Sequence, residues 1–377
     1  MVTRQWSIIF LMILFVVVDC VGCRGKSSVI PGQKATRANY GNLNNKVTTT
    51  DGPTAIYTIP NESSSDGSFL PNGHSFITGD LWGGLKCWDI ATGQHLLTLQ
   101  EKDIDGKIDG TDILAISADN KILATATSQE SNKQVNITLW NLTTGKSIRH
   151  LTSDNILCEH VVPVKSLAFS PNGTILASGD TGGMINIWNM KTGMQKCVLK
   201  FYDDTTHKNI QNNENYIGVN DMTFSPDGSL IACATNIGGS NANNNIVELY
   251  NTRNMKLKKK LYGNTAPVSS IAFSPSGNNI VTGSIDNAII IFDVITGTSR
   301  HIQNSHKGAI TSVAFSHDGT IITGASDDIR KWDVSSGKLL KTISVNGYIP
   351  VAISLDGTYC AMNSNRNGSV DMKVFHF

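Results

Sequence analysis

Residues 305–338 read SHKGAITSVAFSHDGTIITGASDDIRKWDVSSGK, and the reading of this stretch decides the fold. An alternating apolar run ends at Phe315, a tight turn at His317-Asp318-Gly319 follows, and a second apolar run covers residues 321–323. A turn bearing Asp327 and Asp328 leads into a third run that ends in Trp332-Asp333. Alternation with a period of two, bounded by Asp, Gly and Ser, is the pattern of short antiparallel strands joined by hairpins. Nothing in the stretch calls for a helix.

The same pattern recurs along the chain, which makes a repeat architecture the first question. With Phe315 as the reference position, equivalents stand at Phe69 (FLPNG), Ile116 (ISADN), Phe169 (FSPNG), Phe224 (FSPDG), Phe273 (FSPSG) and Ile353 (ISLDG), seven copies in all. A small-residue patch follows each, as in Ser178-Gly179-Asp180 or Thr282-Gly283-Ser284. An aromatic residue and a polar one come next: Trp88-Asp89, Trp140-Asn141, Trp188-Asn189, Tyr250-Asn251, Phe292-Asp293, Trp332-Asp333 and Phe375-His376. Most copies then show a Thr-Gly or Ser-Gly turn, such as Thr144-Gly145 and Ser336-Gly337.

On these residues the chain resembles the WD40 repeat family from about residue 55 to its end. The resemblance implies an all-β, seven-bladed propeller with four strands per blade. A Gly-His pair precedes the first strand of such repeats, and His160 and His306 lie nine positions before their reference residues, where the repeat of Phe273 has Asn264. The resemblance also implies a buried hydrogen-bond network of His, Ser/Thr, Asp and Trp. His306, Thr323, Asp327 and Trp332 match it, Asn264, Thr282 and Asp286 end in Phe292, and His160, Ser178 and Trp188 recur without a turn Asp. These residues are therefore read as structural.

Three segments follow: residues 1–23 as an export signal, 24–53 as a flexible polar tether and 54–377 as the propeller. Arg4 precedes an apolar run of 11 residues, 8–18, too short for the ~20 that span a bilayer. Val21-Gly22-Cys23 resembles a bacterial lipobox, with Asp19 and Cys20 as departures. Cys23 is the candidate lipid acceptor, against simple secretion or an uncleaved anchor. The protein is expected to be exported, either secreted or held on a membrane as a periplasmic or cell-surface lipoprotein. Residues 24–50 are rich in Gly, Ser, Asn, Thr and Lys and bury too little to offset ordering entropy.

Ala55–Ile59 belongs to no complete repeat, while the last repeat stops after its third strand. An open blade would expose a strand edge, so this N-terminal strand is expected to pair with the C-terminal blade and close the ring. Blades 1 and 7 are expected to be the weakest, because residues 63–68 are polar and glycine-bearing and Pro350 interrupts the last inner strand.

With 31 basic and 30 acidic residues the formal charge is +1, so the total implies neither nucleic acid nor an acidic membrane surface. Lys256, Lys258, Lys259 and Lys260 fall on an expected outermost strand, where lysines guard an edge; nucleic-acid or membrane contact is the alternative. Cys87, Cys158, Cys197, Cys233 and Cys360 show no paired spacing, and Cys233 and Cys360 fall on second strands as small apolar residues. Asn-x-Ser/Thr sequons, Asn172 among them, matter only in a eukaryotic secretory route.

Reference spacings of 47, 53, 55, 49, 42 and 38 place the extra length in segments 128–134, 153–162, 201–217 and 236–245. All connect strand two to three or strand four to the next blade, which in a WD40 blade emerge on one face. This loop-rich face is expected to dock a protein or peptide partner, with Asp154, Glu159, Asp203, Asp204, His207 and Glu214 as a mildly acidic polar rim; tolerated drift of exposed insertions is the alternative. No HExxH, GxSxG, P-loop or dinucleotide fingerprint occurs, so no catalytic residue, cofactor or metal is assigned. The expectation is a monomeric, non-enzymatic scaffold that meets a membrane only through its N-terminus. A hydrolase or small-ligand binder using the central channel is the alternative.

Overall fold

The structure, a computed structural model, describes residues 55–376 apart from 60–63, 81–83, 100–112, 129–134, 152–159, 161, 201–216, 238–244, 303–304, 345–347, 355–357 and 367–368. The described residues form seven antiparallel four-stranded sheets, and they contain no helix. Each sheet is one blade, and the innermost strands of consecutive blades touch in a closed ring, the seventh (Tyr348–Ile353) meeting the first (Ser64–Phe69). The fold is the seven-bladed β-propeller expected from the repeats.

Closure is by the N-terminal strand. Ala55–Ile59 pairs antiparallel with the last strand, Ser369–His376, so that blade 7 takes its outermost strand from the chain start. Ile59 is 3% exposed and packs with Met372, Val374, Phe69 and Phe76, which joins the closing strand to the core between blades 7 and 1.

The expected weakness of blades 1 and 7 has a local answer in each. Polar Ser64–Phe69 does form a ladder with Ser75–Asp80, and Gly67 is where it is because a Cβ there would lie 2.6 Å from the Phe76 ring. Pro350 sits at a register shift, between Pro350 and Ala352, where no regular ladder bond is required of it. Similar shifts recur in the inner strands of blades 1, 3, 4, 5 and 6.

Beside the shifts, side chains of one blade hold the backbone of the next. Ser166 Oγ accepts from Met222 N–H at 2.9 Å, Asp221 Oδ2 from Ile271 N–H at 2.9 Å, and Ser270 Oγ from Val313 N–H at 3.3 Å. All three donors stand two positions before their reference residue, so one contact repeats from blade 3 to blade 6. The small-residue patches serve the same boundaries. A Cβ on Gly179 would lie 2.6 Å from Val219 Cγ1, and one on Gly283 would overlap Ile310 of blade 6. Gly283→Ala should cost about 1–3 kcal/mol through overpacking, read as a lower urea midpoint with an unchanged slope.

Asp221 is the one ionisable member of this inner set. Burial pushes its carboxyl up to about 6, against N–H donors from Ile271 and Met222 and hydroxyls from Ser270 and Ser166 that pull it down. Its folded value lies above the ordinary 3.8, so its contribution is fully favourable below pH 4 and is lost as pH rises through 6. Asp221→Ser, which installs the residue of blades 3 and 5, should be relatively more stable than wild type at pH 7.5. That advantage, up to about 3 kcal/mol, should shrink towards pH 4, and thermal melts of both proteins across this range test it.

Candidate functional site

Among the described residues, His, Asp, Ser and Thr groups converge inside the blades. In blade 6, His306 precedes the inner strand, Thr323 stands on the second strand (Ile321–Ala325), and Asp327 lies in the hairpin before the strand Asp328–Trp332. The hairpin brings them together: His306 Nδ1 lies 2.9 Å from Asp327 Oδ1 and Nε2 lies 2.7 Å from Thr323 Oγ1, which accepts from Trp332 Nε1 at 2.9 Å. Thr323 is fully buried and the His306 side chain is inaccessible to solvent. Burial lowers the His306 pKa against the raising effect of Asp327. Burial also acts upwards on Asp327, but the Lys307 N–H and His306 hold it below the ordinary carboxylate value.

Blade 3 completes the same network by another route. His160 Nδ1 lies 2.7 Å from Asp180 Oδ2, and Nε2 lies 2.7 Å from Ser178 Oγ, which accepts from Trp188 Nε1 at 2.9 Å. The missing turn Asp is supplied by the last residue of the strand Ile175–Asp180, whose other oxygen takes the N–H groups of Gly182 and Met184 at 2.9 Å. Trp88 and Trp140 likewise donate to Thr78 and Thr125 in blades 1 and 2. In blade 5, Thr282 donates to Asn264 at 3.0 Å, while Asp286 pairs with Thr265 instead.

Blade 4 replaces the network. Cys233 holds the Ser/Thr position and Tyr250 the Trp position, and the Tyr250 hydroxyl donates at 2.5 Å to Glu248, two residues back on the same strand face. Lys260 of the outermost strand lies 2.8 Å from the other Glu248 oxygen, so the buried carboxylate is paired. The Glu248 hydrogen bond raises the Lys260 pKa, and burial pushes the Cys233 thiol far up.

Two of these arrangements imitate active centres. Ser178, His160 and Asp180 have the connectivity of a nucleophilic triad, but Ser178 is fully buried and its oxygen is occupied by the Trp188 indole. His306, Asp327 and Asp328 could converge on a metal ion. There the Arg330 guanidinium, 2.8 and 2.9 Å from Asp328 and 3.6 Å from Asp327, already supplies the positive charge. Cys87, Cys233 and Cys360 are free and buried, and burial raises all three thiols, which suits packing and not nucleophilic attack.

The proposed partner rim, Asp154, Glu159, Asp203, Asp204, His207 and Glu214, lies outside the described residues, as does Cys23. The strands flanking these loops are described: Ser147–Leu151 and Val164–Phe169, Gln195–Lys200 and Ile217–Phe224. Antiparallel order puts the connections between strands two and three and between blades at one end of every sheet. Tyr262 and Ile285, 59% and 53% exposed, stand at that end of blades 4 and 5.

The WD domain, G-beta repeat family matches residues 151–189, 255–293 and 297–333. The second and third windows begin on or beside the outermost strand of one blade and end at the aromatic-Asp pair of the next, so the repeat is offset from the blade. That offset is what leaves one outermost strand for the N-terminus to supply. The chain is 22% identical over 238 residues to WD repeat-containing protein 91 homolog of Dictyostelium discoideum, covering 54% of this chain and 31% of that protein. It is 28% identical over 220 residues to WD repeat-containing protein SL1-17 of Schistosoma mansoni, covering 56% and 66%. With COMPASS component SWD3 of Saccharomyces cerevisiae it shares 31% over 142 residues, 35% of this chain and 42% of that one. The chain thus spans less than two thirds of the length of each of these relatives. The matched repeats, set in a ring of seven four-stranded blades, support the WD40 family.

Proposed function

We propose that the protein is a non-enzymatic scaffold, exported or membrane-anchored, that docks a protein or peptide on the loop-rich face of its propeller. One observation carries this reading: among the described residues, the clustered His, Asp, Ser and Thr groups suited to chemistry are buried within blades 3 and 6, where they hold strands together. The added length of the chain falls instead in connections whose flanking strands end on one face. The apolar run 8–18 and the Val21-Gly22-Cys23 sequence support export, with Cys23 as the lipid acceptor.

Two variants test the reading. Shortening residues 201–216 to a four-residue Gly-Ser linker should remove the partners captured by the wild type, identified by mass spectrometry, with the melt unchanged. Retention of every partner would overturn the docking face. Cys23→Ser should release the protein from the membrane fraction washed in high salt, which removes ionic surface binding, while leaving capture from soluble extract intact, and an unchanged distribution under that wash would overturn lipidation.

A further inference from the structure

A net charge of +1 conceals an uneven distribution around the ring. In blades 2, 3 and 4 the turn into the outermost strand and that strand itself cover residues 141–151, 189–200 and 251–261. These three segments hold ten Lys and Arg and no Asp or Glu. The corresponding segments of blades 1, 5 and 6, residues 89–99, 293–302 and 333–344, hold three of each.

The turn does not demand this. In blades 1, 5 and 6 an Asp carboxylate caps it, as Asp89 does for the Thr92 N–H at 2.8 Å and Asp333 for the Ser336 N–H at 2.7 Å. In blades 2, 3 and 4 an Asn carbonyl does the same work: Asn141 for Thr143 and Thr144, Asn189 for Lys191 and Thr192, Asn251 for Arg253 and Asn254. The acid is replaced by its neutral isostere in the three consecutive blades that carry the bases.

Lys146, Arg149, Lys196, Lys256 and Lys258 are exposed, and none of them stands in an ion pair among the described residues. Large aliphatic side chains are exposed on these segments in all six blades, Ile148 at 45%, Met194 at 51% and Leu257 at 45% in the arc and Leu96, Ile295, Leu339 and Leu340 elsewhere, but only in the arc do they stand among an unbroken excess of bases. The three segments contain no Phe, Tyr or Trp on which a nucleobase could stack. Lysine and arginine alternating with exposed aliphatic tips fit the boundary between charged headgroups and acyl chains.

We propose that the outer lip of the turn face across blades 2, 3 and 4 docks on an anionic lipid surface. This surface lies at the end of the blades opposite the loop-rich face, so the two can be occupied together, and the inference does not depend on the partner proposed above. Lysines that guard strand edges would be spread over all blades; here they follow the loss of the turn acids.

Sedimentation of the full chain with vesicles tests it. Binding to vesicles of phosphatidylcholine with about 30 mol% phosphatidylserine should exceed binding to pure phosphatidylcholine at least tenfold and fall with added salt. Any contribution of residues 8–18 is common to the variants compared. At about fivefold per charge, Lys146→Ser, Arg149→Ser, Lys196→Ser and Lys258→Ser combined should weaken anionic binding about a hundredfold or more. Lys338→Ser with Lys341→Ser in blade 6 should change it less than about threefold. Undiminished binding by the fourfold variant, equal binding to neutral vesicles, or tighter binding to duplex DNA or polyglutamate would overturn the assignment. Exposed Lys→Ser changes should leave the melt unaltered; if the fourfold variant unfolds, Ile148→Ser with Met194→Ser must itself weaken vesicle binding for the proposal to stand.

Discussion

A chain lacking residues 1–60 should melt about 5–10 °C below the full chain, at roughly 2 °C per kcal/mol for a domain of this size. The deletion removes the strand Ala55–Ile59 and with it the antiparallel ladder to Ser369–His376. Ile59 leaves a cluster that includes Met372, Val374, Phe69 and Phe76, and burying one such side chain contributes about 1.5–3 kcal/mol. Each ladder bond adds about 0.5–1.5 kcal/mol, offset by the entropy of ordering five residues. The larger consequence is topological. Without its outermost strand, blade 7 presents the open edge of Ser369–His376 to solvent, a template for pairing with a second chain. Deleting only residues 1–50 leaves the closing strand in place and should melt with the full chain. A truncation to residue 60 that melts unchanged would mean that closure contributes nothing measurable.

Closure was legible in the sequence because it follows from counting: a repeat offset from its blade leaves one strand short at the end and one spare at the start. The central fold was legible for the same reason, through the recurrence of Phe315-like positions and of the pairs from Trp88-Asp89 to Phe375-His376. What spacing could not supply was chemistry that moves along the chain while staying fixed in space. Asp180 serves His160 from two residues after Ser178, and Asp327 serves His306 from four residues after Thr323. Both lie at the sheet end that the His ring faces, so a search for Asp at one spacing finds only the second. Glu248 was equally hidden, since its partner Tyr250 was visible only as an aromatic in a Trp position, although residues two apart on a strand share a face. The contact of Asp221 with Ile271 spans 50 residues and joins neighbouring blades. Its one sequence signal was a charge in the middle of the inner strand Ile217–Phe224, beside Asn220. The acidic rim lies outside the described residues, so the loop-rich face rests on strand order.

Thr323→Val keeps the shape of a fully buried side chain and removes the oxygen that both the Trp332 indole and His306 use. Two buried polar groups are then left unpaired, at about 1–3 kcal/mol each, so the variant should lose roughly 2–5 kcal/mol and about 4–10 °C of melting temperature. Ser178→Ala should do the same to blade 3 through Trp188 and His160. The pH dependence separates a neutral from a charged imidazole. The His306 pKa is lowered by burial from its ordinary 6.5, so its contribution is present above pH 6.5 and is lost as pH falls through the lower folded value. His306→Asn, which installs the residue blade 5 carries as Asn264, should therefore be less stable than wild type at pH 7.5, with the gap narrowing towards pH 5. A gap that widens on acidification would show the opposite sign, an imidazolium held by Asp327 and Asp328, and blade 6 would then be clamped by an ion pair instead of by a neutral imidazole bridging the Asp327 carboxylate and the Thr323 hydroxyl.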